Sequence, residues 1–298
     1  MRVTAPDPPA ADSLARLDDF AALFRADFRR RDQARWAAVY LRGLLLDAGR
    51  KNIETIGRLA AVPADLSAED PVQALQNFIN QSPWDEQKLL RRYRTLVQRR
   101  AGGGAVVVSD MAFPKQGRQS VGVQRQYSRE HHRKINCQVA VALHYLRDEH
   151  QFPLALRLYL PRGWVRTPER LATCGVPAEF HTQATRGEIA LNLLDEVHAH
   201  GVSVREVIPG PGYEDSQEFG AGLAERGLAE APAAAWPHGL RRAEDVCQQM
   251  KARLGLDHFE GRSWRGFHHH AALTMLAYAF LRLEESDWID VRPSRARG

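Results

Sequence analysis

No stretch of this chain approaches the roughly twenty consecutive apolar residues that a membrane-spanning helix needs, so no membrane role is expected. Cysteine is scarce: Cys137, Cys174 and Cys247 are the only three in 298 residues, and none shows CxxC spacing. That excludes a disulfide frame and a thiolate zinc site, and reads as buried or free thiols in a reducing compartment. The opening string MRVTAPDPPAADS lacks the apolar segment of a secretory signal, so a cytoplasmic protein is expected. No internal repeat is found. Composition is not extreme either: 44% hydrophobic and 26% charged residues form an ordinary soluble mix. The length suffices for one large domain or two modest ones with a real core.

What is present is an uneven charge. The net value is only +5. Residues 86–136, however, hold twelve basic residues (Lys88, Arg91, Arg92, Arg94, Arg99, Arg100, Lys115, Arg118, Arg125, Arg129, Arg133, Lys134) against three acids (Glu86, Asp110, Glu130), an excess of nine that leaves the remainder at −4. Concentrated cations favour a polyanion partner, because each one near a phosphate releases condensed counterions. A solvated arginine-rich helix face gives the same pattern, and the run alone does not separate the two.

Apolar residues recur at helical spacing through LARLDDFAALFRADF and WAAVYLRGLLLDAG, with Gly49 a candidate stop and RKNIETIGRLA a new start. Residues 62–70 read as a loop. The segment 71–100 reads as two helices broken at Ser82-Pro83. The first hundred residues therefore predict an all-helical domain, and AGGG at 101–104 punctuates its end. AVVVSD (105–110) then has the continuous apolar character of a strand covered on both faces. Further strands are predicted at 120–128, 136–146, 152–161 and 204–209, with helices at 183–200, 215–227, 240–254 and 267–284. This order predicts an α/β (α+β) core with a mixed sheet, over residues 101–298, behind the helical residues 1–100.

Asp110 closes the first strand. A carboxylate there is costly to desolvate unless it is paired or metal-bound. Two-metal phosphoryl transfer uses such oxygen ligands, whereas an Asp that merely begins a turn is also common. His268, His269 and His270 suggest a metal site by composition. Consecutive helical residues point in different directions, so packing and polar contacts are expected instead.

The string VVVSDMAFPKQGRQSVGVQRQYS, followed by KINCQVAVALHYL, resembles the segment around the first catalytic Asp in bacterial insertion-sequence transposases of the DDE superfamily. LGLDHFEGRSWRGFHHHAALTMLAYAFL resembles the C-terminal signature of that family, and YLRGLLLDAGRKNIETI with LQNFINQSPWDEQKLL its helical N-terminal domain. The resemblance covers most of the chain. It implies a ribonuclease-H-like core, Mg²⁺ or Mn²⁺, and cutting and joining of double-stranded DNA at element ends, usually by dimers. On that resemblance Asp110 matches the first catalytic acid and Glu244 the third, the two together being the metal ligands. Lys251, seven residues beyond Glu244, matches a family Lys that supports DNA strand contact. Arg241 or Arg242 stands for a family Arg, although Leu240 occupies the position expected to be basic. Glu260 is a reserve acid. The DNA-contacting set expected from the basic stretch and this helix is Arg91, Arg92, Arg94, Lys115, Arg118, Arg125, Arg241 and Arg242.

Two departures from the family pattern matter. The second acid should lie two residues before a Gly-Tyr pair; here that pair is Gly212-Tyr213, and the slot is Gly210, with prolines at 209 and 211. Glycine offers no side-chain oxygen; Glu214 and Asp215 lie nearby, and a shifted loop is what would bring Asp215 into the slot. The long insertion of relatives is also absent: only AEAPAAAWPHG (229–239), which offers no core, joins strand to helix. Two readings follow. One is a transposase with impaired metal-dependent cleavage. The other is a non-catalytic DNA-binding derivative.

Overall fold

The computed structural model describes residues 11–285 apart from 65, 67 and 68. Helix starts fall where short polar side chains can accept orphan backbone N–H groups. Asn52 caps α3 (Ile53–Leu59) through Thr55 N. Asp70, with Pro71 in the first turn, caps α4 (Pro71–Asn80). Asp85 caps α5 (Glu86–Ala101), past the break expected at Ser82-Pro83. Before them lie α1 (Ala11–Ala22) and α2 (Arg31–Leu45), the latter ending short of the candidate stop at Gly49.

β1 (Gly104–Pro114) is the central strand. It pairs antiparallel with β3 (Arg133–Arg147), from Ala105 opposite Leu146 to Pro114 opposite Cys137. The far edge of β3 takes β2 (Gln124–Ser128) near its start and β4 (His150–Leu158) near its end. The other edge of β1 takes β5 (Val204–Pro209) in parallel. The mixed sheet with flanking helices is a ribonuclease-H-like α+β fold. Two short helices that the sequence pattern had not revealed, α6 (Arg162–Val165) and α7 (Pro168–Thr173), follow β4. Then come α8 (Arg186–Ala199), opened by a Thr185–Glu188 capping box, and α9 (Gln217–Glu225), capped by Ser216.

The linker after α9 corrects one expectation. It does contribute to a core: Val207 forms a single parallel bridge with Glu230, Ala231 is buried, and α10 (Trp236–Leu254) starts within it. Ala231, Val107, Ile208, Leu146 and Ala243 form a small cluster under α10. The main core lies elsewhere. Val106 and Val108, alternating with Val107 along β1, belong to it, as do Phe20 of α1, Phe24 just beyond it, Tyr40 of α2 and Tyr93 of α5.

The pillar of the main core is α11 (Trp264–Glu285), buried nearly all round through Leu281, as a helix inside a large core must be. It packs on α2, α4, α5, α10 and β4, so the helical segment and the sheet share one interior. The register of β4 shifts beside Pro153, which cannot donate to a ladder. The carbonyls of Pro153 and Leu154 accept instead from Tyr93 Oη (2.6 Å) and Arg94 Nε (2.9 Å), which docks α5 on the sheet.

The three consecutive histidines serve this packing, in three directions. The His268 ring meets Trp264 O, His269 lies between Ile79 O and Trp84 O and stacks on Trp84, and His270 bonds Tyr40 Oη and the carbonyls of Gly255 and Leu256. Burial pushes their pKa values down, to about 4, 3 and 4.

Candidate functional site

Asp110 does not close β1, which runs on to Pro114; it lies just past the last pair with β5, Val108 opposite Pro209, where a side chain can reach a surface cleft. The cleft has a volume of about 500 Å³. Asp110 and Glu244 both line it, together with Arg129, Glu130, His132 and Pro211. The first and third acids of the expected set are therefore brought to one place. Glu244 reaches the cleft from the exposed side of α10, and among the described residues no hydrogen bond or ion pair holds it.

Asp110 differs. Its side chain is 9% exposed and both oxygens are in use. Oδ2 accepts from Arg186 Nη1 at 2.6 Å and from Arg129 Nη1 at 3.2 Å. Oδ1 accepts from Tyr213 Oη at 2.7 Å. Two guanidinium groups on one nearly buried carboxylate are a strong charge-assisted arrangement and meet the desolvation cost of the acid. Burial first, and the Asp110 charge second, raise the Tyr213 pKa well above its ordinary value, so the phenol stays a donor. Arg186 is presented by the first turn of α8 and lies over the Tyr159 ring; Arg129 comes from the turn after β2.

Gly210, the position where a second acid was expected, has no room for a side chain. A Cβ built on Gly210 falls well inside van der Waals contact of the Val108 carbonyl oxygen, a backbone atom of β1. The loop after β5 thus lies so tightly on β1 that only glycine fits. Gly212, at φ +82°, makes similar room for the Arg129 guanidinium, which a side chain there would strike. The loop supports Asp110 through Tyr213 rather than through a second carboxylate. Asp215 is exposed and outside the cleft lining, and Glu260 pairs with Arg50 at 2.5 Å, so neither substitutes.

Lys251 is placed against expectation. It is 8% exposed, and its Nζ donates to Ala112 O (2.9 Å) and to both oxygens of Glu130 (2.7 and 2.6 Å). Gln248 also reaches Glu130. The ammonium is spent on anchoring the β2–β3 turn to α10 and has no face left for a DNA strand. Arg94 is a second correction: it is fully buried and bonded to Leu154 O, Glu196 and His200. Lys115 and Arg242 are partly buried; Lys115 donates to Phe259 O, and Arg242 to His150 O and Gln151. Burial lowers both of their pKa values. These four cations serve the fold.

Arg91, Arg118, Arg125 and Arg241 are exposed. Arg91 and Arg92 line a second groove, of about 510 Å³, with Lys88, Arg99, Leu23 and Leu96. Asp27, the acid in that lining, is paired with Arg92. Three cations there, Lys88, Arg91 and Arg99, are left without a carboxylate partner among the described residues. The residues that sequence reasoning did not single out are Arg129, Arg186 and Glu130. The one signal was an acid, Glu130, inside an otherwise basic string.

The donor set does not suit a divalent ion. Hard cations want several oxygen ligands. Both Asp110 oxygens are taken, Gly210 has none to give, and Glu244 stands alone. Among the described residues no group of three or more His, Cys, Asp or Glu side chains could hold a metal. The cysteines are buried thiols; Cys247, whose pKa burial pushes up to about 12, meets His144 at 3.4 Å beneath the cleft.

Comparison with known proteins adds an independent line. A family described as DDE superfamily endonuclease matches residues 23–254. A protein of Microchaete diplosiphon described as a probable transposase for insertion sequence element IS701 is 23% identical over 213 residues, which is 70% of this chain and 50% of that protein. The chain thus matches about half the length of that relative. No solved structure matches.

Proposed function

This chain belongs to the DDE superfamily endonuclease family, and on that premise we propose that it is a transposase-lineage protein that binds double-stranded DNA of insertion-element ends while its strand-cleavage chemistry is impaired. The observation that carries the impairment is Asp110, whose two oxygens are bonded to Arg129, Arg186 and Tyr213. Metal-assisted phosphodiester chemistry needs positioned carboxylate oxygens that are free to hold ions. With the second acid replaced by Gly210, turnover falls by orders of magnitude.

DNA binding is supported by the groove on α5. Lys88, Arg91 and Arg99 present charge without the internal neutralisation that ties up Arg94 and Lys251. We assign phosphate contact to this helical segment, and additional contact to the exposed Arg118, Arg125 and Arg241. The test is a pair of assays on the full chain. Duplex DNA binding should weaken steeply as salt rises, and incubation with Mg²⁺ or Mn²⁺ should give little strand cleavage. Robust cutting abolished by Asp110→Ala would overturn the impairment; a flat salt response would remove the basic groove as the DNA surface.

A further inference from the structure

Charge balance at Asp110 carries more than an impaired active site. Three charged groups meet there beside the neutral Tyr213 phenol: one carboxylate and two guanidiniums, a net of one positive charge. The carboxylate is nearly buried, while Arg129 and Arg186 remain 39% and 26% exposed. The cations therefore face the solvent side and the anion the protein side. Each guanidinium has five N–H donors. Asp110 takes one nitrogen from each, Nη1, at 3.2 and 2.6 Å. The arrangement is held from three directions. Glycine at 212 lets Arg129 lie against the loop backbone. The β2–β3 turn that carries Arg129 is anchored by Glu130 to Lys251. Tyr213 fixes the other carboxylate oxygen. Where a divalent ion would supply positive charge to a phosphate, this chain already has two fixed cations.

We infer that the cleft binds a DNA phosphodiester directly through the Arg129 guanidinium, with Arg186 adding positive charge behind it and without a divalent ion, and that Asp110 is a positioning residue for those two arginines. This rests on the DNA-binding reading above and specifies how one of its surfaces works. Arg129, which lines the cleft, touches the phosphate; Arg186 adds charge from the α8 side. Glu244, which lines the same cleft from α10, opposes anion entry.

The inference makes a sign prediction that a metal site reverses. Neutralising a metal ligand abolishes metal-dependent binding. Neutralising Asp110 here leaves two cations uncompensated, so anion affinity rises. The experiment measures anisotropy of a fluorescent duplex oligonucleotide on the full chain, in EDTA and in Mg²⁺, alongside titration of the protein with Mn²⁺ alone. Equal affinity in EDTA and Mg²⁺ is expected, with a several-fold gain for Asp110→Asn. A loss of about tenfold is expected for Arg129→Gln, the scale of one charge-assisted contact. No submillimolar Mn²⁺ site should be seen in the unaltered protein. Thermal melts report whether each variant is folded. If Asp110→Asn is not, Arg129→Gln and the Mn²⁺ titration of the unaltered chain decide.

Duplex binding that requires Mg²⁺, or an Mn²⁺ site lost with Asp110→Asn, overturns the inference. So does DNA affinity that responds to Lys88→Ala and Arg99→Ala but not to Arg129→Gln; that result leaves the broader DNA-binding reading standing. A chain that binds no duplex at all overturns both.

Discussion

The groove on α5 and the cleft at Asp110 are similar in volume and both carry arginines, yet their charges are organised in opposite ways. In the groove the one acid, Asp27, is spent on Arg92, leaving Lys88, Arg91 and Arg99 unopposed. In the cleft every cation has a carboxylate: Arg129 and Arg186 share Asp110 and keep a solvent-facing side, while Lys251 is spent on Glu130. A count of basic residues treats the two regions alike. What separates them is which carboxylates the fold brings within reach, and therefore how much positive potential is left for a partner.

Acid breaks the comparison most broadly, because α11 packs under both α5 and α10. The histidines at 268–270 and His144 have folded pKa values of about 3 to 4, pushed down from 6.5 by burial. A group depressed in the folded state contributes stability that is whole above its unfolded pKa. That contribution shrinks as pH falls from 6.5 toward 4, because the unfolded chain takes up protons first. Denaturant melts at pH 7 and pH 5 should differ by roughly 1–2 kcal/mol per buried imidazole. Equal stability would mean that the rings are not buried in neutral form, and both clefts would lose the rigid base assigned to them.

The next effect separates the clefts by affinity. Replacing Lys88, Arg91 and Arg99 together by Ala should flatten the log–log salt dependence of duplex binding by roughly one unit per cation. An unchanged slope would move the DNA surface away from α5. Gly210→Asp tests the other cleft. Forced against the Val108 carbonyl, the new side chain should cost about 1–3 kcal/mol in urea unfolding and restore no cleavage in Mn²⁺. Full stability with activity regained would show that the loop after β5 yields easily.

The smallest expected effect belongs to Lys251→Met. It leaves Glu130, whose side chain is 27% exposed, without its partner. The loss should be about 1–2 kcal/mol of stability, with duplex affinity lowered no further than by Arg129→Gln, because what is released is the turn that carries Arg129. A further loss of salt slope when Lys251→Met is added to Arg129→Gln would return Lys251 to the DNA-contacting set.

Some of this was readable in advance. The apolar run before Asp110 announced a buried strand, and β1 begins as expected, but it continues past Asp110 through the buried Met111, Ala112 and Phe113 to Pro114, so the acid interrupts the strand rather than closing it. The helices expected over 71–100 and 183–200 were legible from their apolar spacing, and the fold begins them at Asp70, Asp85 and Thr185, whose side chains cap the first turn. The Gly-Tyr pair marked the loop that closes over Asp110. The consecutive histidines were readable as packing because helical geometry alone forbids a shared ligand. Arg94 was not readable: it sits among exposed arginines in sequence, and its burial follows from β4 and α8 closing over one face of α5.

The sequence by itself determined the family, the order of the five strands and the longer helices, the absence of an acid at 210 and the surplus of cations between residues 86 and 136. Tertiary structure alone decided which of those cations remain available. The partners of Asp110 lie 19, 76 and 103 residues away along the chain, and the carboxylate that holds Lys251 lies 121 away. Ion pairing depends on separations of a few ångströms, and chain distance carries no information about those until the sheet and helices have closed.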